Sequence, residues 1–152
     1  LRSLGFELVV ITNQSGIARG YFKEEDVLRF NEELERKLIE NGVYISKFYF
    51  CPHHVDGKIA EYSSSCNCRK PEPGMYLSAI KELNIDLKTS ICIGDKFTDL
   101  LAGARSGLGS CILISRSKKE ENLLVNSLSN QLFFNFKRIC SMRNIPMLLA
   151  NY

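Results

Sequence analysis

Cys51-Pro52-His53-His54 and, twelve residues beyond His53, Cys66-Asn67-Cys68 bring three thiols and two imidazoles into one stretch. Three thiolates and one imidazole make the Cys₃His set of a closed tetrahedral zinc site, and the spacing lets both ends of a loop meet at one ion. Cys51, His53, Cys66 and Cys68 are the expected ligands. His54 is the spare, because adjacent side chains rarely point at one ion. Four protein ligands leave no open coordination position, so the metal is expected to be structural and to replace the core that a polar loop lacks. The alternative is a disulfide or free thiols in a surface loop.

Three further clusters suit phosphate and a hard cation. Thr12-Asn13-Gln14-Ser15-Gly16 supplies a hydroxyl, an amide and several backbone N–H groups in a glycine-containing turn, which can bind phosphate oxygens. Asn, Ser and Gly are equally the residues of a plain turn. Arg69-Lys70-Pro71 follows the last thiol directly, and a metal-held backbone would keep two cations rigid, as a phosphate clamp requires; the alternative is solubilising charge. Gly94-Asp95-Lys96-Phe97-Thr98-Asp99 places two carboxylates four residues apart, an arrangement suited to Mg²⁺, although an Asp after Gly is commonly just a helix cap.

The elements that must position these groups alternate. Phe6-Glu7-Leu8-Val9-Val10-Ile11 has the short, nearly continuous apolar pattern of a parallel strand covered on both faces. A helix is expected from about Lys23 to Asn41, with Val27, Phe30, Leu34 and Leu38 on its buried side and Asn41-Gly42 as its stop. Strands follow at Lys47-Phe48-Tyr49-Phe50, Ser90-Ile91-Cys92-Ile93 and Cys111-Ile112-Leu113-Ile114, with helices at about Gly74 to Leu83 and Thr98 to Ser106. This order predicts a single α/β domain over 1–152, Rossmann-like, with a mostly parallel sheet, helices on both faces and a zinc-binding loop at about 51–68. Ligands of such sheets bind at the carboxyl ends of strands, where the polar clusters after Ile11, Phe50 and Ile93 all fall. Leu1-Arg2-Ser3-Leu4-Gly5 reads as the last turn of a helix, so the sequence is expected to begin partway through a domain, incomplete at the N-terminus.

Composition narrows the partners. In 152 residues, 20 basic and 17 acidic side chains leave a net charge of only +3, and the two signs are interleaved. A nucleic-acid footprint would be a clustered basic face. The interleaved aromatics and cations at Phe133-Phe134 and Phe136-Lys137-Arg138 are better read, through Leu132, Phe133 and Phe136, as the buried face of a terminal helix. No apolar run reaches membrane-spanning length and no secretory signal is visible, which sets the expectation of a cytoplasmic protein without membrane or nucleic-acid partners.

Together the strand ending in Thr, a Lys in an intervening segment and a strand ending in Gly-Asp-x₃-Asp resemble the second, third and fourth motifs of the haloacid dehalogenase superfamily of phosphatases. Within it, VITNQSGIARGYF, CPHH, CNCRKPEPGM and GDKFTDLLAG resemble the D-glycero-D-manno-heptose 1,7-bisphosphate phosphatase branch, across about Leu4 to Ser115. Histidinol-phosphate phosphatases of the same subgroup are the alternative, with typically shorter zinc loops. The resemblance implies a haloacid dehalogenase-like fold and a monomeric, Mg²⁺-dependent phosphatase of a small sugar phosphate, with Zn²⁺ as a structural ion. It gives Thr12 contact with the transferring phosphoryl group and makes Lys70 its charge-neutralising cation. Asn13, Gln14, Ser15 and Arg69 would hold substrate, Asp95 would ligate Mg²⁺, and Lys96 and Asp99 would support it.

One departure stands out. The superfamily's first motif is a strand ending in Asp-x-Asp, whose first carboxylate attacks phosphorus, and no Asp-x-Asp occurs in this sequence. None of the remaining groups substitutes simply, because Asp95 and Asp99 belong to the metal and Ser15 has no base beside it. By the resemblance, that strand would lie centrally, between those ending at Ile11 and Ile93, and its loss would leave two unpaired edges. A catalytically inactive zinc- and phosphate-binding fragment is therefore the second reading, and a zinc-knuckle-like nucleic-acid binder the third.

Overall fold

The computed structural model describes residues 4–115 and 135–149. They fall into two compact units, one extending to Arg69 and one beginning at Lys70.

In the first unit, β1 (Val9–Asn13) and β2 (Lys47–Cys51) pair in parallel and are joined through helix α1 (Glu24–Glu40). Both strands run one or two residues further than their apolar patterns suggest. Thr12 lies opposite Phe50 and Asn13 opposite Cys51, so the first two residues of the polar cluster are rungs of the ladder rather than turn residues. Backbone pairing is indifferent to side-chain polarity, and the parallel partner carries the strand on. The residues of β1 are half-buried rather than fully covered.

Helix α1 opens on Glu24, Glu25 and Asp26, where carboxylates complement the helix dipole, and Asp26 Oδ2 accepts the Lys23 N–H at 2.8 Å. It stops at Asn41, before Gly42 at φ +71°. One expectation is corrected here: Phe30 is 62% exposed, whereas Asn31 is buried beside Val27. At 100° per residue, positions 27, 31, 34 and 38 fall within about 60° of one another, and position 30 stands outside that stripe.

The second unit is a parallel sheet in the order β3 (Ile91–Gly94), β4 (Ser110–Ile114), β5 (Asn135–Ile139). Helix α2 (Gly74–Leu83) precedes β3, α3 (Phe97–Arg105) joins β3 to β4, and α4 (Ile145–Leu149) comes last. Leu100, Ala102 and Leu113 are fully buried and centre the core. Strand β5 is a second correction, since Phe136 lies in a strand paired along β4 from Ser110↔Asn135 to Ile114↔Ile139 rather than in a helix. A five-residue segment gains more from five ladder rungs than from one isolated helical turn. Leu132 and Phe133 lie outside the described residues, as does most of the tail beyond Lys118.

Candidate active site and metal centre

The metal loop is built on the last residue of β2. Cys51 is completely buried, with its Sγ 3.5 Å from Cys66 Sγ and 2.9 Å from Cys68 Sγ, and the latter two sulfurs are 3.2 Å apart. His53 turns Nδ1 into the same group, 3.8 Å from Cys51 Sγ and 3.4 Å from Cys68 Sγ. All four donor atoms lie within 4.8 Å of one another. A tetrahedron with Zn–S bonds of 2.3 Å has edges of about 3.8 Å, so the donors need only spread slightly to hold zinc. All three cysteines are free thiols. Burial pushes the Cys51 and Cys68 thiols up, whereas at Cys66 hydrogen bonds from the other two outweigh the cost of burial and hold the thiol below its ordinary range. A bound cation would replace these shared protons.

The turn after β1 is sewn onto this loop through main-chain bonds. The Gln14 N–H donates to Cys51 O at 2.8 Å, and the Ala18 N–H donates to Pro52 O. Ala18 O accepts from Lys58 N–H at 2.7 Å and Ile59 N–H at 3.0 Å. Gly57 permits the approach, because a Cβ there would stand 2.9 Å from Ala18 O. The half-buried side chains of Thr12, Gln14 and Ser15 make no hydrogen bond among the described residues, which leaves their polar atoms available. Arg69 donates to His53 O at 3.2 Å. At the loop's other edge, the Tyr62 hydroxyl donates to Glu24 Oε2 at 2.9 Å and ties the loop to α1.

In the second unit, Lys70 Nζ lies 2.7 Å from Asp99 Oδ1, and the two side chains are only 9% and 11% exposed. Asp99 Oδ2 accepts the Lys96 N–H at 3.1 Å, so both carboxylate oxygens are engaged. Gly94 makes room for this: a Cβ there would come within 2.4 Å of Asp99 Cβ. The buried Tyr76 hydroxyl donates to the main-chain oxygen of Asp99 at 3.2 Å from below. Asp95, at the carboxyl end of β3, is exposed and has no protein partner among the described residues. It is a carboxylate of the type Mg²⁺ takes together with waters and phosphate oxygens. Lys96 is exposed beside it.

The structure thus joins the four metal-ligand candidates, and separately joins Lys70 to Asp99. Sequence reading missed that pair, the bond between Tyr76 and Asp99, and a contact of Arg19 Nη2 with His54 Nε2 at 3.2 Å. The only signal for the last was the spare histidine beside the metal ligand.

Both units are parallel α/β structures, and residues 67–130 match the HAD-hydrolase-like family. The chain is 44% identical over 137 residues to a D-glycero-β-D-manno-heptose-1,7-bisphosphate 7-phosphatase from Pasteurella multocida, covering 86% of this chain and 74% of that protein. It is 48% identical over 118 residues to the protein of the same name from Yersinia pestis, covering 78% and 63%. The D,D-heptose 1,7-bisphosphate phosphatase of B. bronchiseptica, solved with magnesium and phosphate, superposes with a TM-score of 0.78 at 27% identity over 100% of this chain and 79% of that one. The chain belongs to the heptose-1,7-bisphosphate 7-phosphatase family of HAD-like hydrolases. Among the described residues, no helix is long and apolar enough to cross a membrane.

Proposed function

We propose that the protein is a Mg²⁺-dependent phosphatase that removes the 7-phosphate of D-glycero-D-manno-heptose 1,7-bisphosphate. The observation that carries this reading is the buried Lys70–Asp99 pair, with Asp95 four residues before Asp99 exposed and without a partner among the described residues, in a chain of this family. Thr12 and the N–H groups after it hold the transferring phosphoryl oxygens. Lys70, fixed by Asp99, offsets their negative charge. Asn13, Gln14, Ser15 and Arg69 bind the rest of the substrate, and Asp95, supported by Lys96 and Asp99, holds Mg²⁺, which neutralises charge on the phosphoryl group. Zinc on Cys51, His53, Cys66 and Cys68 keeps the turn after β1 in place through the bonds at Ala18.

Hydrolysis in this reading runs through an aspartyl phosphate. A carboxylate attacks phosphorus, the sugar oxygen leaves with a proton from an acid, and water then cleaves the acyl phosphate. The attacking group would come from an Asp-x-Asp, which these 152 residues do not contain. That observation also favours a second reading, an inert zinc- and phosphate-binding fragment. We further take the protein to be a cytoplasmic monomer acting on a small molecule, without nucleic-acid or membrane partners.

Phosphate release from heptose bisphosphate and from histidinol phosphate, by the 152-residue chain and by the same chain carrying an N-terminal strand ending in Asp-x-Asp, tests the assignment. The extended chain is expected to hydrolyse the bisphosphate with Mg²⁺ and to lose activity on Lys70→Ala or Asp95→Ala, while the unextended chain stays at the assay floor. An inactive extended chain supports the inert fragment, and preference for histidinol phosphate moves the substrate. Robust Mg²⁺-dependent release by the unextended chain would require another attacking group.

A further inference from the structure

Four arginines are described in the first unit, and they divide sharply. Arg29 and Arg36, exposed on α1, are each paired with carboxylates, Arg29 with Asp26 and Arg36 with Glu33 and Glu40. Arg19 and Arg69, both half-buried, have no carboxylate partner among the described residues. Instead they are tied to consecutive residues of the metal loop, Arg69 to His53 O and Arg19 to the His54 ring.

Arg19 is also incompletely satisfied. Its Nε is buried without a hydrogen-bond partner. Its Nη2 faces His54 Nε2 at 3.2 Å, while the Asp56 N–H donates to His54 Nδ1 at 3.1 Å. A neutral imidazole has one lone-pair nitrogen and a guanidinium only donates, so the ring cannot accept from both. Among the described residues, the acidic group paired with the ring is Asp56, 83% exposed, with Oδ2 3.8 Å from Nδ1. A half-desolvated guanidinium with an unpartnered donor and no carboxylate partner among the described residues suits an anion with several acceptor oxygens. Its place in the chain is equally specific: the Arg19 N–H donates to Ser15 O at 3.1 Å, one turn beyond the residues assigned to the transferring phosphoryl group.

We propose that Arg19, oriented by His54 and acting with Arg69, binds the phosphate of the substrate that is not transferred, and so sets the preference for a bisphosphate. This rests on the phosphatase reading above, in which the retained group is the 1-phosphate. Arg19 does not touch the reacting atoms and acts on binding alone.

Calorimetry on the zinc-loaded chain with heptose 1-phosphate, unphosphorylated heptose and heptose 1,7-bisphosphate tests it. The wild-type chain is expected to bind the 1-phosphate at least about tenfold more tightly than heptose, and Arg19→Gln to lose about that factor while its zinc content stays intact. Arg19→Lys should keep part of the preference, since charge remains and the fork is lost. Arg36→Gln should keep all of it. Equal affinity of wild type and zinc-loaded Arg19→Gln for the 1-phosphate overturns the proposal and leaves the phosphatase reading standing. If Arg19→Gln does not retain zinc, the wild-type comparison decides, because equal binding of heptose and its 1-phosphate also overturns it. Failure of the wild-type chain to bind any of the three also overturns the proposal, while phosphate release by the extended chain still decides the phosphatase reading.

Discussion

Lys70 Nζ and Asp99 Oδ1 meet at 2.7 Å, twenty-nine residues apart in sequence and both about nine-tenths buried. In the structure Asp99 fixes Lys70, the lysine proposed to offset the charge of the phosphoryl group. A charge so far from water is costly without its partner, so either Lys70→Met or Asp99→Asn should destabilise the protein by about 3–5 kcal/mol. The double variant Lys70→Met/Asp99→Leu should recover most of that loss. Urea denaturation of the three variants measures it, and additive losses in the double variant would contradict coupling.

Gly94 should tolerate no side chain. An added Cβ would lie 2.4 Å from Asp99 Cβ, in helix α3. Gly94→Ala is expected to cost about 1–3 kcal/mol and to be milder in an Asp99→Gly background. An unchanged urea midpoint would show that α3 moves aside freely.

One equivalent of Zn²⁺ should purify with the chain. Binding of this kind contributes on the order of 10 kcal/mol of apparent free energy to small zinc domains, so chelation should loosen the turn carrying Ser15 and Ala18 as well as the loop. Hydrogen exchange at the Ala18 and Lys58 amides before and after chelation reads this out. Cys66→Ser should reproduce the effect of the chelator. Less than half an equivalent of metal, with freely titratable thiols, would contradict it.

Magnesium should bind weakly to the 152-residue chain. Asp95 is a single exposed carboxylate, and both Asp99 oxygens are taken. Mg²⁺ keeps its waters unless carboxylates and phosphate converge. Calorimetry should show no saturation at micromolar metal; tight binding abolished by Asp95→Asn would reveal another carboxylate in the site.

Acid should loosen α1 at its middle. The Arg36 guanidinium, hydrogen-bonded to Glu33 at 2.7 and 2.9 Å, holds the Glu33 carboxyl down at about 2 against an ordinary 4.5. Its depressed value means that the contribution is fully present above pH 4.5 and disappears as pH falls through about 2. Both side chains are exposed, so the effect is small and sensitive to salt. Thermal melts from pH 5 to 2 should fall less for Glu33→Gln than for wild type. Identical profiles would remove Glu33 from the acid response.

The residues of the metal loop were legible because ligand chemistry is carried by residue type and spacing: Cys51, His53, Cys66 and Cys68 identify themselves before any fold is known. The alternation of β1, α1, β2, α2, β3, α3 and β4 was legible for a similar reason, since periodicity and the stops at Asn41-Gly42 and Gly94 act over a few residues. Other features depend on what lies across space. Phe30 and Asn31 are neighbours in sequence but 100° apart around the helix, and packing decided which of the two sides would be covered. Strand β5 exists as the partner of β4, which its own five residues cannot announce. The partners of Asp99 and Arg19 were settled the same way: a side chain's type states what it can bind, and the path of the chain decides which group arrives within reach.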